Sequence, residues 1–167
     1  NEDLLSPRSW VIVQDFECRN SATLGDDVVG GIKISGSHNI ARRIYSHDHQ
    51  RHAASLYISD DCEVSDCILE DTGSPVGAIF QTSDSRWLRN SMSQAGSNTG
   101  VLVCHDTCSE ITIAENLLVG AFSGSDGHHF YCYDGCSDIT FKLNYLSGEV
   151  ARGIFVDDST GGDIFSN

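Results

Sequence analysis

The sequence predicts an all-β solenoid, and three observations carry that prediction. The first is a repeat. "GVLVCHDTCSEITI" from Gly100 and "HHFYCYDGCSDITF" from His128 share an apolar-x-Cys-x-Asp-x-Cys-Ser-acid-Ile-Thr-apolar frame, offset by 28 residues. Self-similarity at a period in the twenties marks an architecture of stacked units. The second is alternation of apolar and polar residues within each copy, the period of a half-buried strand. The third is what the copies lack: none carries a helical stripe of ten or more residues. Sixteen Gly and an excess of Asp over Glu, 17 to 7, supply turns instead.

The copies run in order along the chain. A degenerate coil, residues 8–30, contains "SWVIVQDFECRN". Regular coils over 31–167 follow, with cores "GIKISGSHNIARRI", "SLYISDDCEVSDCI", "AIFQTSDSRWLRNSM", "VLVCHDTCSEITIAENLL", "HFYCYDGCSDITFKLNYL" and "GIFVDDST". Aligned, they place Ile34, Ile58, Thr82, Cys104, Cys132 and Val156 in one inward column, and Ile32, Leu56, Phe80, Leu102, Phe130 and Ile154 in another. Lys33, Tyr57, Gln81, Val103, Tyr131 and Phe155 lie between them and point outward. A second strand is expected to turn Ile40, Val64, Leu88, Ile113 and Phe141 inward. A third column is Ile44, Ile68, Met92, Leu117 and Tyr145, preceded at a turn by Arg43, Cys67, Ser91, Asn116 and Asn144. The Gly/Ser/Asp-rich segments between copies read as loops along one edge. A unit of about 24 residues cannot bury its own apolar face, so it stacks on its neighbours. About six coils in one domain account for the length.

The repeats "ITIAENLL" and "GIKISGSHNI" resemble those of the right-handed parallel β-helix family, over residues 10–167. That resemblance, to pectate-lyase-like and other polysaccharide-active solenoids, implies a groove along one sheet and an extracellular or cell-surface setting. It implies a lyase, epimerase or hydrolase acting on a polysaccharide. A non-catalytic binding or adhesion module, or a structural solenoid of a surface or viral tail protein, is the alternative.

Composition narrows the partners. The formal charge of -14 excludes nucleic acid, which needs a basic footprint, and no segment has the apolar length of a membrane span. Lys33 and Lys142 are the only lysines, a balance shared by proteins of high-salt habitats and by ordinary acidic secreted proteins. The chain opens without a signal peptide and stops within a repeat, so a fragment of a longer chain, or self-association, is expected. Seven cysteines, an odd number, leave at least one thiol unpaired within the chain. Cys104 and Cys132 are expected to be buried neighbours, with Cys108 and Cys136 in the following turn. The C-x-x-x-C pairs also admit a metal, but a structural zinc needs four converging ligands and one Cys of each pair faces inward, so packing is the favoured role.

Three constellations carry possible chemistry. His105, Tyr131, Tyr133 and Asp157 fall outward on three consecutive coils. They form the candidate catalytic patch for acid/base work on a uronic acid, in which one group takes the proton beside the carboxylate and another donates to the leaving oxygen; an aromatic ladder that merely stabilises the sheet face is the simpler reading. Tyr57, Gln81 and Arg51 are the candidate substrate-binding residues, Arg51 as a bidentate holder of a sugar carboxylate. A corner column of Gly36, Asp60, Asp84, Asp106, Asp134 and Asp158 suggests calcium, with Asp106, Asp134 and Asp158 as ligands; turn-forming aspartates that bond their own backbone explain it as well. The pairs Asp60–Asp61 and Asp157–Asp158 admit hydrolysis by two carboxylates. "SDDC" is similar to a short piece of the polygalacturonase pattern, whose other members are missing. "SHDHQRH", with His47, Asp48, His49, Arg51 and His52, is either a metal-binding loop or a polar one.

Overall fold

The computed structural model describes residues 9–21, 30–95, 100–121, 127–150 and 152–157. Every strand pairing among them is parallel. One sheet has six strands in the order β16 (Arg152–Val156), β13 (His128–Cys132), β10 (Leu102–His105), β7 (Gly77–Phe80), β4 (Ala54–Asp60) and β2 (Ile32–Ser37). Each partner lies one coil away, at offsets of 22, 23, 25, 28 and 24 residues from β2 to β16. Parallel pairing is kept through this variation in coil length, with one register shift, within β2–β4.

The second sheet folds around a corner. β3 (Ile40–His47) pairs through Ile40–Arg42 with β5 (Glu63–Ser65) and through Tyr45–Ser46 with β6 (Ile68–Thr72), while β1 (Ile12–Arg19) pairs along its other edge. In later coils the two halves are separate strands: β8 (Arg86–Leu88) and β9 (Ser91–Ala95), β11 (Thr112–Ala114) and β12 (Leu117–Ala121), β14 (Thr140–Lys142) and β15 (Tyr145–Glu149). The cross-section therefore has three faces.

The bend between the second and third faces has one cause in every coil. Asp15, Arg43, Asp66, Arg89, Glu115 and Leu143 all have positive φ, between 52° and 62°, at stacked positions. A single left-handed residue redirects a strand without a loop. Just inside this bend, Asn90, Asn116 and Asn144 form a ladder. Asn90 N–H donates to Asn116 Oδ1 at 2.8 Å, and Asn116 N–H donates to Asn144 Oδ1 at 2.9 Å. Cys67 N–H donates to Asn90 Oδ1 at 3.0 Å. Asn116 Nδ2 also donates to Trp87 O at 2.9 Å. The side chains thus occupy the backbone groups that the bend removes from the β-ladder, as buried polar groups require.

The observed registers correct several inward assignments. Ile34 pairs with Leu56, Leu56 with Ile79, and Ile79 with Cys104. Ile58 is not a core residue: the β2–β4 register shifts by one residue there, and Ile58, at φ 49°, is 55% exposed. Phe80 faces outward, and Thr82 is buried at the corner beyond it. On the second face the inward column is Ala41, Val64, Trp87, Ile113 and Phe141, so Trp87 replaces the expected Leu88 and Ala41 the expected Ile40. On the third face Leu69, Met92, Leu118 and Leu146 align. Ile68, Leu117 and Tyr145 pair in the intervening outward column, with Ile68 50% and Tyr145 68% exposed. Asn90 takes the ladder place expected of Ser91.

Trp87 explains part of this. Its indole is fully buried opposite Gly77, where a Cβ would meet Trp87 Cζ2 and Leu102 Cδ1 at 2.7 Å. One inward column therefore narrows to Ala54 and Gly77 between Ile32 and Leu102, leaving room for the large ring from the opposite face. No helix among the described residues is long and apolar enough to cross a membrane.

Candidate active site on the six-stranded face

The outer surface of the first sheet carries a continuous band of rings. It begins at Tyr57, whose ring lies edge-on to Phe80 at 6.1 Å. Phe80 meets His105 edge-on at 3.9 Å, and His105 stacks on Tyr133 at 4.9 Å and 10°. Tyr133 stacks on Tyr131 at 4.4 Å. Tyr131 and His128 both reach Phe155, at 5.2 Å each. Strand register builds the band. Tyr57 pairs with Phe80 and Phe80 with His105, while Val103, Tyr131 and Phe155 form the neighbouring outward column. Successive parallel strands lie about 4.8 Å apart, close to the spacing of stacked rings. A cation stands near each end. Lys33 Nζ is 4.4 Å from the Tyr57 centroid, and the Arg152 guanidinium is 4.6 Å from that of Phe155.

Polar atoms within the band are left open. His105 Nδ1 lies 3.1 Å from Asp106 Oδ2, but outside hydrogen-bond geometry, and the atom is buried without a bonded partner. Burial, reinforced by the charge of Asp134, pushes the Tyr133 phenol up to about 12. Burial also raises Tyr131, with Asp157 and Asp134 adding to it. Both phenols therefore keep their protons at neutral pH and serve as donors.

No protein-family model matches the chain, and no curated protein matches it in sequence. Solved structures do match in shape. The A-module of the Azotobacter vinelandii mannuronan C-5 epimerase AlgE4 superposes with a TM-score of 0.68 at 13% identity, over 95% of this chain and 46% of that one. The A-module of mannuronan C-5 epimerase AlgE6 from the same organism gives 0.56 at 9% identity, over 90% and 42%. The chain is a right-handed parallel β-helix. It spans under half the length of these structural neighbours.

On this β-helix the four expected catalytic residues lie together in part. His105, Tyr133 and Tyr131 are in direct ring contact. Asp157 sits exposed at the strand end beyond Tyr131, near enough to raise its phenol, and is tied through its backbone N–H to Cys132 O at 2.8 Å. Of the expected binding residues, Tyr57 belongs to the band. Gln81 occupies the turn after Phe80, at φ 46°, with its N–H toward His105 O. Arg51 lies in the loop before β4. Phe80 and His128 are members that the sequence alignment missed. Taking Ile79 instead of Phe80 as the inward residue would have placed Phe80 between Tyr57 and His105.

The aspartate column dissolves into separate settings. Asp60 Oδ1 accepts from Ser83 Oγ at 2.7 Å. Asp61 Oδ2 meets His38 Nδ1 at 2.7 Å, so Asp60 and Asp61 are engaged with different partners rather than facing one bond. Asp84 aligns with Asp61 and Glu110, not with Asp106. Asp106 and Asp134 do come together, with His105: one ligand atom from each lies within 4.8 Å of the others. Asp158 lies outside the described residues. This donor set fits calcium in part. It supplies hard carboxylate oxygens, but an imidazole stands where a six-to-eight-oxygen shell would want another oxygen. The three histidines of "SHDHQRH" do not converge. His47 bonds Asp48 and Glu17, His49 bonds Ser21 and Ser46, and His52 reaches Pro75 O.

Proposed function

We propose that this β-helix acts on a uronic-acid polysaccharide outside the cell, abstracting the C-5 proton at the ring band. The observation that carries the reading is the stacked His105–Tyr133–Tyr131 series, which sets an imidazole beside two protonated phenols. The shape shared with two mannuronan C-5 epimerase modules supports it.

The chemistry follows from the groups. The hydrogen at C-5 is α to the sugar carboxylate. His105 takes it through the nitrogen not turned to Asp106, and the C–H electron pair spreads into the carboxylate as an enolate. Nδ1 is buried against Asp106, which leaves Nε2 as the nitrogen that can reach a substrate. The reaction then divides. A phenol, Tyr133 or Tyr131, returns a proton to the opposite face of C-5, inverting it. Alternatively the C-4–oxygen bond breaks and the phenol protonates the leaving oxygen, creating a double bond. Lys33 and Arg152 at the ends of the band offset the acidic character of the chain toward an anionic polymer, and the flat rings provide stacking platforms for sugar faces. A cation held by Asp106 and Asp134 would neutralise further carboxylate charge on the polymer, with calcium the expected ion. No step above runs through it.

The test is a panel of uronic-acid polymers, mannuronan included, incubated with the 167-residue chain. Elimination generates unsaturated ends that absorb in the ultraviolet; epimerisation changes the C-5 configuration seen by NMR. Retention of a polymer without either product makes the band a binding platform and refutes the catalytic reading. Loss of binding on addition of chelator identifies the cation contribution.

A further inference from the structure

The two C-x-x-x-C pairs converge. Cys104 and Cys132 point inward on directly paired positions of β10 and β13. Cys108 and Cys136 come four residues later in each coil. They do not hang in an outer turn, because left-handed residues at Asp106 and Thr107 in one coil, and at Asp134 and Gly135 in the next, swing the chain back toward the core. All four thiols are fully buried. Cys104 Sγ and Cys136 Sγ are 3.9 Å apart, and the sulfurs of Cys104, Cys132 and Cys136 all lie within 4.8 Å of one another. Cys108 lies outside that set of three but neighbours Cys104 and Cys136, and is the fourth buried thiol within reach of them.

These dimensions select among the things four cysteines can do. A disulfide brings two sulfurs to about 2.05 Å. Around a tetrahedral zinc with bonds of about 2.3 Å, ligand sulfurs stand about 3.8 Å apart. The observed 3.9 Å between Cys104 and Cys136 is far from the first and compatible with the second, as it is with two thiols in contact. Spacing agrees, since zinc thiolate sites draw pairs of cysteines two to four residues apart. A dry core site with no open position suits a structural ion, and sulfur donors without oxygen select a soft or borderline metal over calcium or magnesium. Sulfurs this close leave no room for an inorganic sulfide cluster.

We infer that Cys104, Cys108, Cys132 and Cys136 hold one zinc ion that cross-links two consecutive coils directly beneath His105 and Tyr133. Binding deprotonates the thiols and releases their protons to solvent. The weak S–H contacts that Cys108 now makes to Ile79 O and His105 O, and Cys136 to Tyr133 O, give way to metal bonds. Cys62 and Cys67 do not belong to the site. Each is a single buried thiol in an earlier coil, bonded to backbone carbonyls such as Asp60 O and Ser65 O. The inference is independent of the proposed carbohydrate chemistry.

The test is metal content of the 167-residue chain, refolded with zinc under reducing, air-free conditions and freed of loose metal. One zinc per chain is expected. Cobalt exchanged into the site should give a thiolate-to-cobalt charge-transfer band and intense tetrahedral d–d absorption. Cys108→Ser and Cys136→Ser should each weaken zinc retention by at least about 10–100-fold, the loss that even outer-shell changes cause. Cys62→Ser and Cys67→Ser should retain one zinc. Folded wild-type protein that binds neither zinc nor cobalt overturns the inference. So does iron in place of zinc from cells, undiminished zinc in both ligand variants, or native disulfides among the four thiols by mass spectrometry. The wild-type cobalt spectrum decides the matter even if a variant fails to fold.

Discussion

Two ladders run along the stacked coils, and they differ in whether they complete their own bonding. At the bend between the second and third faces, Asp15, Arg43, Asp66, Arg89 and Glu115 stack with alternating charge. Arg43 grips Asp15 with two bonds of 2.7 and 2.9 Å, and Arg89 grips Asp66 in the same way. Just inside, the asparagines saturate one another and the neighbouring carbonyls. On the first face the stacked elements are rings. They satisfy their apolar surfaces, yet His105 Nδ1 is left without a hydrogen bond. A ladder that closes its own valences needs nothing from outside. A ladder of rings on the outer face, carrying an imidazole and two phenols, offers groups that can act on something else.

That contrast breaks most sharply at His105. Replacing it by Ala should lower turnover on the polymer by about 10²–10⁴-fold, the range for a lost general base. Thermal stability should fall far less than turnover, since the lost contacts with Phe80 and Tyr133 are worth about 1–3 kcal/mol together. A matching loss of stability and activity would mean the band is scaffolding. The inverse experiment is Asn116→Ala. It strands the Asn90 N–H and the Trp87 carbonyl in a buried setting, at about 1–3 kcal/mol for each unsatisfied group. Denaturant unfolding should show a loss of roughly 3 kcal/mol, while the residual folded protein keeps its activity per molecule.

Gly77→Ala comes next. The added methyl has no space between Trp87 and Leu102, and overpacking of this kind costs about 1–3 kcal/mol. Equilibrium unfolding measures it, and an unchanged midpoint would refute the packing of Trp87 against this glycine.

The smallest effect belongs to the charge ladder. Arg89→Ala removes a half-exposed ion pair and should cost below about 1 kcal/mol, less in high salt. Its pH signature is clearer than its size. Hydrogen bonding from Arg89 holds Asp66 below the ordinary carboxylate range. A lowered folded-state pKa gives stability that is fully present above the unfolded value, near 3.9, and is lost as pH falls through the folded value. The variant should therefore lose part of the acid-side slope in a stability-against-pH series and leave the neutral plateau nearly unchanged.

The fold was legible because the repeat states it many times over. Any one coil is ambiguous, but "GVLVCHDTCSEITI" and "HHFYCYDGCSDITF" align without a gap, and the structure pairs Cys104 with Cys132 as that alignment requires. Register was legible only where coils match so closely. In "SLYISD" both Leu56 and Ile58 are apolar two residues apart, so alternation reads equally well through either, and the bulge at Ile58 leaves no mark in the sequence. In "AIFQ" the choice between Ile79 and Phe80 depends on Trp87 filling the core from another face, a contact between residues that no single column reveals. That His105, Tyr131 and Tyr133 lie side by side was legible, since all three fall in the closely matching coils. The thiol cluster was half legible. The pairs are plain, but the left-handed corner that turns Cys108 and Cys136 inward is a backbone property of Asp-Thr and Asp-Gly that also suits an outward turn.

The central claim is that the ring band removes a proton from C-5 of a uronic acid. It is tested most directly by NMR of mannuronan incubated with the wild-type chain in heavy water. Loss of the H-5 signal as solvent deuterium replaces it, or new olefinic signals from elimination, is expected, both abolished in His105→Ala. An H-5 signal that persists unchanged on mannuronan and on every other uronic-acid polymer tried, with folded protein present throughout, would contradict it.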